Sequence, residues 1–219
     1  LRWMIAELKH LLAGQGLSED NLLAIGIGLP GPVEHSTGKP ASPPIMMGWD
    51  GFDVPARVNQ EFKAKVLVDN DVNVMAIGER HLTYPDVDHL IFLKAATGIG
   101  SGIISDGHLQ RGSQGTAGDI GHVRVSRGDN IACRCGNYGC LEAVAGSPAV
   151  IKNVNDAGLP VRNMSDLVDA TKRSKVEAIQ AVRQAGRDIG EVLSTCVSLM
   201  NPSIIVIGGS MASAGEHLI

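Results

Sequence analysis

The sequence predicts an α/β fold, and three observations carry that expectation. Mostly apolar runs of strand length lie at residues 22–29, 89–95 and 203–207, without the polar alternation of a strand that faces water on one side. Segments with apolar residues at helical spacing stand between them, as in layered α/β architectures with mixed sheets. Polar or glycine pairs follow strand candidates, Asn70-Asp71 after the short run at 66–68, Thr97-Gly98 after 89–95 and Gly208-Gly209 after 203–207, and α/β folds place ligands at the carboxyl ends of strands.

In chain order, Leu1, Met4, Ile5, Leu8, Leu11 and Leu12 recur at helical spacing, and Gly14 and Gly16 end that helix. Residues 22–29 read as a strand buried on both faces, stopped by Pro30-Gly31-Pro32. Residues 40–51, with Pro43-Pro44, Gly48, Trp49 and Gly51, read as a loop. Pro55 opens a short helix at a position proline tolerates. Residues 66–68 form a short strand leading into Asp69-Asn70-Asp71 and a helix that runs to about Arg80. Further strands are expected at 89–95 and 102–105, with Asp106-Gly107 turning the chain into a hairpin. Ser147-Pro148 and Ser165-Asp166 each read as a helix start. The longest helix begins near Ser174, presents Val176, Ile179, Val182, Ile189, Leu193 and Val197 on one face, and stops at Asn201-Pro202. Residues 1–87 are expected to form a smaller α/β lobe and residues 88–219 a larger one.

Composition narrows the function classes. Hydrophobic residues make up 44% of the chain but aromatic residues only 3%, so aliphatic side chains must build the core. The net charge of -4 and the lack of a long basic cluster argue against broad phosphate-backbone binding by these residues. No apolar run reaches membrane-spanning length and no signal peptide opens the chain, so a cytoplasmic location with no membrane partner is expected. The first residues read as the middle of a domain, so the chain is expected to begin inside a larger protein.

The densest chemistry lies between Gly118 and Glu142. Three of the four cysteines, Cys133, Cys135 and Cys140, fall there, with His122 upstream. Three thiolates and one imidazole form the ligand set of a closed tetrahedral zinc site, and Gly136 and Gly139 let the chain turn tightly around one ion. Ordinary buried thiols, a disulfide and a nucleic-acid zinc knuckle are the alternatives. The polar, loop-like surroundings speak against the first, the absence of a secretion signal against the second, and the C-x-C spacing without basic and aromatic neighbours against the third. A structural zinc would hold Asp119 and Glu142 still, as suits a site that reads a hydroxyl-rich small molecule. Cys196 lies in a helical pattern and reads as a small core residue.

Other candidates have two readings each. Asn70 and Asp71 stand where a strand ends and a helix begins, which suits simple capping or a sugar site with Asp71 as general base and Asn70 on a neighbouring hydroxyl. Thr97-Gly98-Ile99-Gly100 could offer backbone N–H groups to phosphate oxygens or be a glycine turn. Gly208-Gly209 could admit a flat ligand such as adenine or merely turn from strand to helix. Trp49 reads as a loop anchor before a sugar-stacking ring, and the remaining histidines read as surface or packing residues.

Together these residues resemble the ROK family of repressors and sugar kinases. The most specific match is Cys133-x-Cys135-Gly136-x-x-Gly139-Cys140-x-Glu142 with His122 upstream, and the resemblance runs from Gly26 to Gly209. It implies an actin-like, ribonuclease-H-like ATPase fold with two lobes around a cleft, and commonly a homodimer or homotetramer. It implies that Asn70, Asp71, Asp119, His122 and Glu142 face a sugar, with one His122 nitrogen on the metal. In the family's kinases, which use MgATP, Asp71 matches the catalytic base, Thr97, Gly98 and Gly100 a phosphate turn, and Gly208 and Gly209 a nucleotide turn. The chain departs from those kinases in three places: no Asp-x-Gly-x-Thr turn is present, Ala96 replaces a glycine, and Asp119 stands for a glutamate. Asp119 with its neighbours resembles the regulator branch, whose members read DNA through an N-terminal helix-turn-helix domain absent from these residues. The resemblance therefore implies a sugar-sensing, kinase-like domain of a transcriptional regulator, with an ATP-dependent sugar kinase as the alternative.

Overall fold

The computed structural model describes residues 1–43 and 45–219. Pro44, part of the loop read over 40–51, lies outside the described residues. The chain divides into two compact units, the first of residues 1–74 with 112–116 and the second of residues 75–111 with 117–219.

In the first unit, α1 (Arg2–Gly14) precedes β1 (Ala24–Leu29), the short strands β2 (Val33–Glu34) and β3 (Lys39–Pro40), α2 (Val54–Asn59) and β4 (Lys65–Asn70). Strands β1 and β4 pair in parallel from Ala24 opposite Lys65 to Leu29 opposite Asn70. Ile25, Ile27 and Leu29 pack inward with Ile5, Val58, Phe62 and Val68. The alternate residues of β1, Ala24, Gly26 and Gly28, are exposed. The expectation of a strand buried on both faces is therefore corrected. Small residues hid a period-two pattern that a polar residue would have revealed. Asp53 caps α2 through a hydrogen bond from Ala56 N–H at 2.9 Å, with Pro55 just inside the helix. Trp49 sits beside Phe52 with ring centroids 5.3 Å apart, and it packs partly buried on this core, as a loop anchor should.

Helix α3 (Asp71–Leu82) spans the division between the units. The second unit then carries β5 (Leu90–Ala95), β6 (Ile99–Ser105), β7 (His108–Gln110), α4 (Leu141–Ala145), α5 (Ser147–Asp156), α6 (Met164–Lys172), α7 (Val176–Met200) and β8 (Ile204–Gly208). Its sheet has the order β7-β6-β5-β8, with β5 parallel to β8 and antiparallel to β6. Asp106 and Gly107 both take positive φ in the two-residue β6–β7 loop, the left-handed pair such a hairpin needs.

Strand β6 is longer than expected. It begins at Ile99, opposite Ala95, so Gly100 and Ser101 are paired strand residues and the turn itself shrinks to Ala96–Gly98. Two helix starts also differ. Asn163, not Ser165, caps α6, its side chain accepting from Asp166 N–H at 2.9 Å. Ser147 lies inside α5, which Gly146 precedes, and its buried hydroxyl caps nothing. Leu93, Leu141, Leu167 and Met211 are fully buried in one aliphatic core with the inner faces of α5, α6 and α7, each contributing about 1.5–3 kcal/mol by leaving water. Cys196 packs partly buried against that core. Asn201 stops α7 in the left-handed conformation at φ 44°, before Pro202.

Candidate functional site

The hairpin of residues 118–140 is built on glycines that allow contacts no side chain would. A Cβ on Gly118 would lie 2.1 Å from the Ser101 carbonyl oxygen, and one on Gly121 2.1 Å from that of Ile99. These two glycines seat the short 3-10 turn Ile120–His122 directly on β6. Gly128 and Gly139 meet back to back, where a Cβ on Gly128 would come within 2.7 Å of the Gly139 Cα. Cys133 N–H then donates to Asn137 O at 2.8 Å and Gly136 N–H to Cys133 O at 3.1 Å, with Gly136 at φ 90°.

This folding gathers the four expected ligands. His122, Cys133, Cys135 and Cys140 present ligand atoms that all lie within 4.8 Å of one another. The Cys133 Sγ–His122 Nδ1 and Cys135 Sγ–Cys140 Sγ distances are both 3.6 Å. A tetrahedral zinc with bonds of about 2.3 Å to sulfur and about 2.05 Å to nitrogen needs edges of about 3.8 Å between sulfurs and about 3.6 Å between sulfur and nitrogen. The geometry and the donor set therefore fit a zinc-type ion. All four cysteines are unpaired, so the disulfide alternative falls. Burial first, and then the neighbouring thiols, pushes Cys140 up to about 12. Burial also raises Cys133, whereas the hydrogen bond from the Asn137 backbone N–H, the strongest influence there, lowers Cys135. Three thiols this close ionise together only when a cation joins them.

The candidate sugar-reading groups of the second unit sit beside this cluster. Glu142 lies in the first turn of α4, two residues after Cys140, and its Oε2 accepts the Ile99 N–H at 3.2 Å. That carboxylate closes over Gly98, where a Cβ would come within 2.8 Å of Oε2. The Thr97-Gly98 turn and Glu142 are thus brought together, and the Ile99 N–H is already engaged. His122 turns Nδ1 toward the thiols, which leaves Nε2 for a second partner. Asp119 keeps an exposed face, yet burial by the surrounding protein raises its carboxyl, with His122 pulling the other way. Gly208 and Gly209 each have a packing reason: a Cβ would meet the Phe92 ring at 2.5 Å or the Ala95 carbonyl oxygen at 2.4 Å. Gly100 is paired with Lys94 inside the sheet.

In the first unit, Asn70 ends β4 and Asp71 begins α3. Asn70 Nδ2 donates to Gly31 O at 2.7 Å and its Oδ1 accepts Val72 N–H at 2.9 Å. Asn70 therefore caps the helix, with one amide hydrogen and one lone pair left for a ligand. Sequence reasoning missed its support. Asp69 accepts from Asn70 N–H at 2.8 Å and from Asn73 Nδ2 at 2.9 Å, and His35 Nδ1 stands 3.4 Å from its other oxygen.

A second omission lies on α7. Asp188, 3% exposed, receives Arg127 Nε at 3.2 Å and Nη2 at 2.5 Å, and Gln184 Nε2 at 3.0 Å. Glu191 accepts the Ser126 N–H at 3.0 Å. These carboxylates dock the hairpin onto the long helix. The available signal was an aspartate among Ala185, Ile189 and Val192 on an apolar helix face, where a lone charge is costly without a partner. Asp188→Ala is expected to destabilise the chain by about 2–3 kcal/mol, below the full cost of breaking a deeply buried pair because Arg127 is part-exposed. Urea denaturation measures it, and an unchanged midpoint would contradict this account of docking.

A family model described as the ROK family matches residues 1–218. The chain belongs to the ROK family, and it has the actin-like ATPase fold of that family's sugar kinases. It is 30% identical to a glucokinase of Halalkalibacterium halodurans, over 97% of this chain and 68% of that protein. It is 29% identical to the DNA-binding transcriptional dual regulator NagC of Escherichia coli K12, over 90% of this chain and 51% of that protein. Among solved structures, a ROK transcriptional regulator homologous to the E. coli MLC protein superposes with TM-score 0.84 at 29% identity, covering 99% of this chain and 56% of that one. A ROK glucokinase from Streptomyces griseus, solved with glucose and AMPPNP, gives TM-score 0.84 at 26% identity, covering 99% and 74%. The chain spans about half the length of the repressors it matches.

Proposed function

We propose that this chain is the sugar-binding, kinase-like effector domain of a ROK-family transcriptional regulator, with zinc held by His122, Cys133, Cys135 and Cys140. One observation carries the reading: a His/Cys3 cluster whose ligand atoms all lie within 4.8 Å of one another adjoins the anchored Glu142 carboxylate. Zinc there supplies rigidity, holding the hairpin so that His122 keeps one nitrogen for a ligand. In this reading Glu142, His122 and Asp119 accept or share hydrogen bonds with sugar hydroxyls, and Asn70 and Asp71 are further hydroxyl-reading groups. The regulator is favoured because Asp119 and Ala96 depart from the kinase pattern, and because repressors are among the relatives. The operator is read by a separate helix-turn-helix domain of the whole protein, which works in the cytoplasm as a homodimer or homotetramer. A smaller lobe through residue 87 and a larger one from residue 88 belong to the same proposal. No helix of the described residues is long and apolar enough to cross a membrane.

The second reading, an ATP-dependent sugar kinase, is favoured by the Asn70-Asp71 pair and the glucokinase relative. MgATP and the nucleotide roles of Thr97, Gly98, Gly100, Gly208 and Gly209 belong to it. Titration of the full-length protein separates the two. A regulator shows operator affinity shifted by about 5–150-fold by one hexose or hexosamine, the usual range of a coupling free energy, and Asp71→Asn leaves no turnover to lose. A kinase phosphorylates the sugar, and the same substitution lowers turnover by about 100-fold or more. Sugar phosphorylation without any effect on operator affinity would overturn the regulator reading.

A further inference from the structure

Within the metal cluster the sulfurs of Cys135 and Cys140 lie 3.6 Å apart, in contact and unbonded. We propose that these two cysteines are an oxidisable pair, which a hydroperoxide converts to a disulfide with release of the bound ion. The inference rests on the zinc-site reading and goes beyond it, because it gives two of the ligands a reaction of their own.

Geometry selects this pair among the three thiols. A disulfide holds its sulfurs at about 2.04 Å, so Cys135 and Cys140 must close by roughly 1.6 Å. The chain between them, Gly136-Asn137-Tyr138-Gly139, can absorb that shift. Gly136 and Gly139 both stand at positive φ, and a Cβ on Gly136 would meet nothing within 4 Å. Cys133 is held otherwise. Its N–H donates to Asn137 O at 2.8 Å, its carbonyl accepts Gly136 N–H at 3.1 Å, and its sulfur lies 3.6 Å from His122 Nδ1. Only Arg134 separates it from Cys135, a spacing at which a disulfide closes a small, strained ring.

The two sulfurs also differ in exposure as an attacking and a resolving thiol should. Cys135 is part-exposed, among the exposed Arg134, Gly136, Asn137 and Tyr138, whereas Cys140 is 1% exposed. A small oxidant therefore reaches Cys135 first. A bound zinc-type ion keeps both sulfurs deprotonated. The Cys135 sulfur attacks one peroxide oxygen, the O–O bond breaks, and a sulfenic acid forms while the second oxygen takes a proton and leaves as water or alcohol. The Cys140 sulfur then attacks the Cys135 sulfur. The S–S bond forms, and the hydroxide expelled takes a second proton and leaves as water. Two thiolates thus lose two electrons to one peroxide, and His122 and Cys133 remain as a pair of ligands too few for a closed site.

The rest of the hairpin does not depend on these sulfurs. Ser126 and Arg127 stay docked on Glu191 and Asp188, and Gly139 N–H and Leu141 N–H still donate to Ile131 O and Val123 O. A thiol reductant therefore finds the ligands still assembled, and the change is reversible.

The test treats the full-length, zinc-loaded protein with excess hydrogen peroxide and follows zinc release with a chromogenic chelator, disulfides by peptide mass mapping. Complete loss of zinc is expected together with a Cys135–Cys140 disulfide, with Cys133 and Cys196 still free thiols. Dithiothreitol with added zinc should restore both thiols and metal. In Cys133→Ser, which lacks a ligand but keeps the pair, the same disulfide should form. Zinc retained with all thiols intact, a disulfide through Cys133, or Cys135 driven to the sulfinic acid without pairing would each overturn the proposal and leave the zinc site standing. Absence of zinc from the untreated protein would remove the zinc reading instead, and the disulfide map would still decide the pairing.

Discussion

Cys140→Ser is expected to lower zinc affinity by at least about 100-fold, because even outer-shell partners of a metal ligand cost 10–100-fold when removed. Cys140 is the most buried of the three sulfurs, 1% exposed, and it precedes α4 directly. Its loss opens the cluster and replaces a metal bond with a hydroxyl that has no partner. A stability loss of about 4 kcal/mol follows for loss of a structural metal, and for a chain of this size that lowers Tm by roughly 10 °C. The hairpin should lose hydrogen-exchange protection at Cys133 and Gly139, whose N–H groups close it at 2.8 Å each. Sugar binding should fall with it, since Glu142 begins two residues further on. Cys196→Ser, at the cysteine that packs on the aliphatic core of the second unit and lies outside the cluster, is the control and should keep the metal. Acid should mimic the mutation. Burial raises Cys133 and Cys140 in the metal-free protein, so metal binding must expel protons, and the stabilisation it brings is present at higher pH and lost as pH falls. A chelator should therefore strip the metal faster at about pH 6 than at about pH 8. Full zinc content in Cys140→Ser by elemental analysis would contradict the ligand assignment.

Gly121→Ala is expected to do nearly as much damage without touching a ligand. The new methyl would lie 2.1 Å from the Ile99 carbonyl oxygen and 3.1 Å from its carbon. Both belong to the backbone of a central strand, which cannot swing aside as the end of a flexible side chain can. The 3-10 turn must lift off β6, carrying His122 away from the thiols. A cost of about 3 kcal/mol is expected, in the upper range for overpacking, with metal affinity down by about ten-fold or more, as for a displaced supporting group. Gly136→Ala is the instructive comparison. Gly136 has φ 90° but open space around its Cα, so only the left-handed conformation is penalised, by about 1–2 kcal/mol, and the metal should stay. Equal urea midpoints for the two variants would show that crowding at Ile99 is not what seats the turn.

Much of the site was legible because its parts are close along the chain. Cys133, Cys135 and Cys140 span eight positions, and a ligand set so compact needs only local turns, which Gly136 and Gly139 signal. The Asp106-Gly107 hairpin and the stop at Asn201 were readable for the same reason, since each depends on φ values that few residues adopt. The strand β1 was misjudged where glycine and alanine carried no polar signal on its outer face. The β5–β6 turn was drawn too long because glycines in a paired strand look like glycines in a loop.

Residue chemistry along the chain thus determined the α/β class and singled out a candidate metal-ligand set and the candidate acids beside it. Tertiary structure alone decided how those groups are held: Asp188 and Glu191 reach the hairpin from more than sixty positions away, and Ile99 reaches Glu142 from forty-three. Local patterns encode turn preference and hydrophobic period, whereas an ion pair or a carbonyl pressed against a glycine exists only after distant segments have packed. That packing turns a set of ligands into a rigid site.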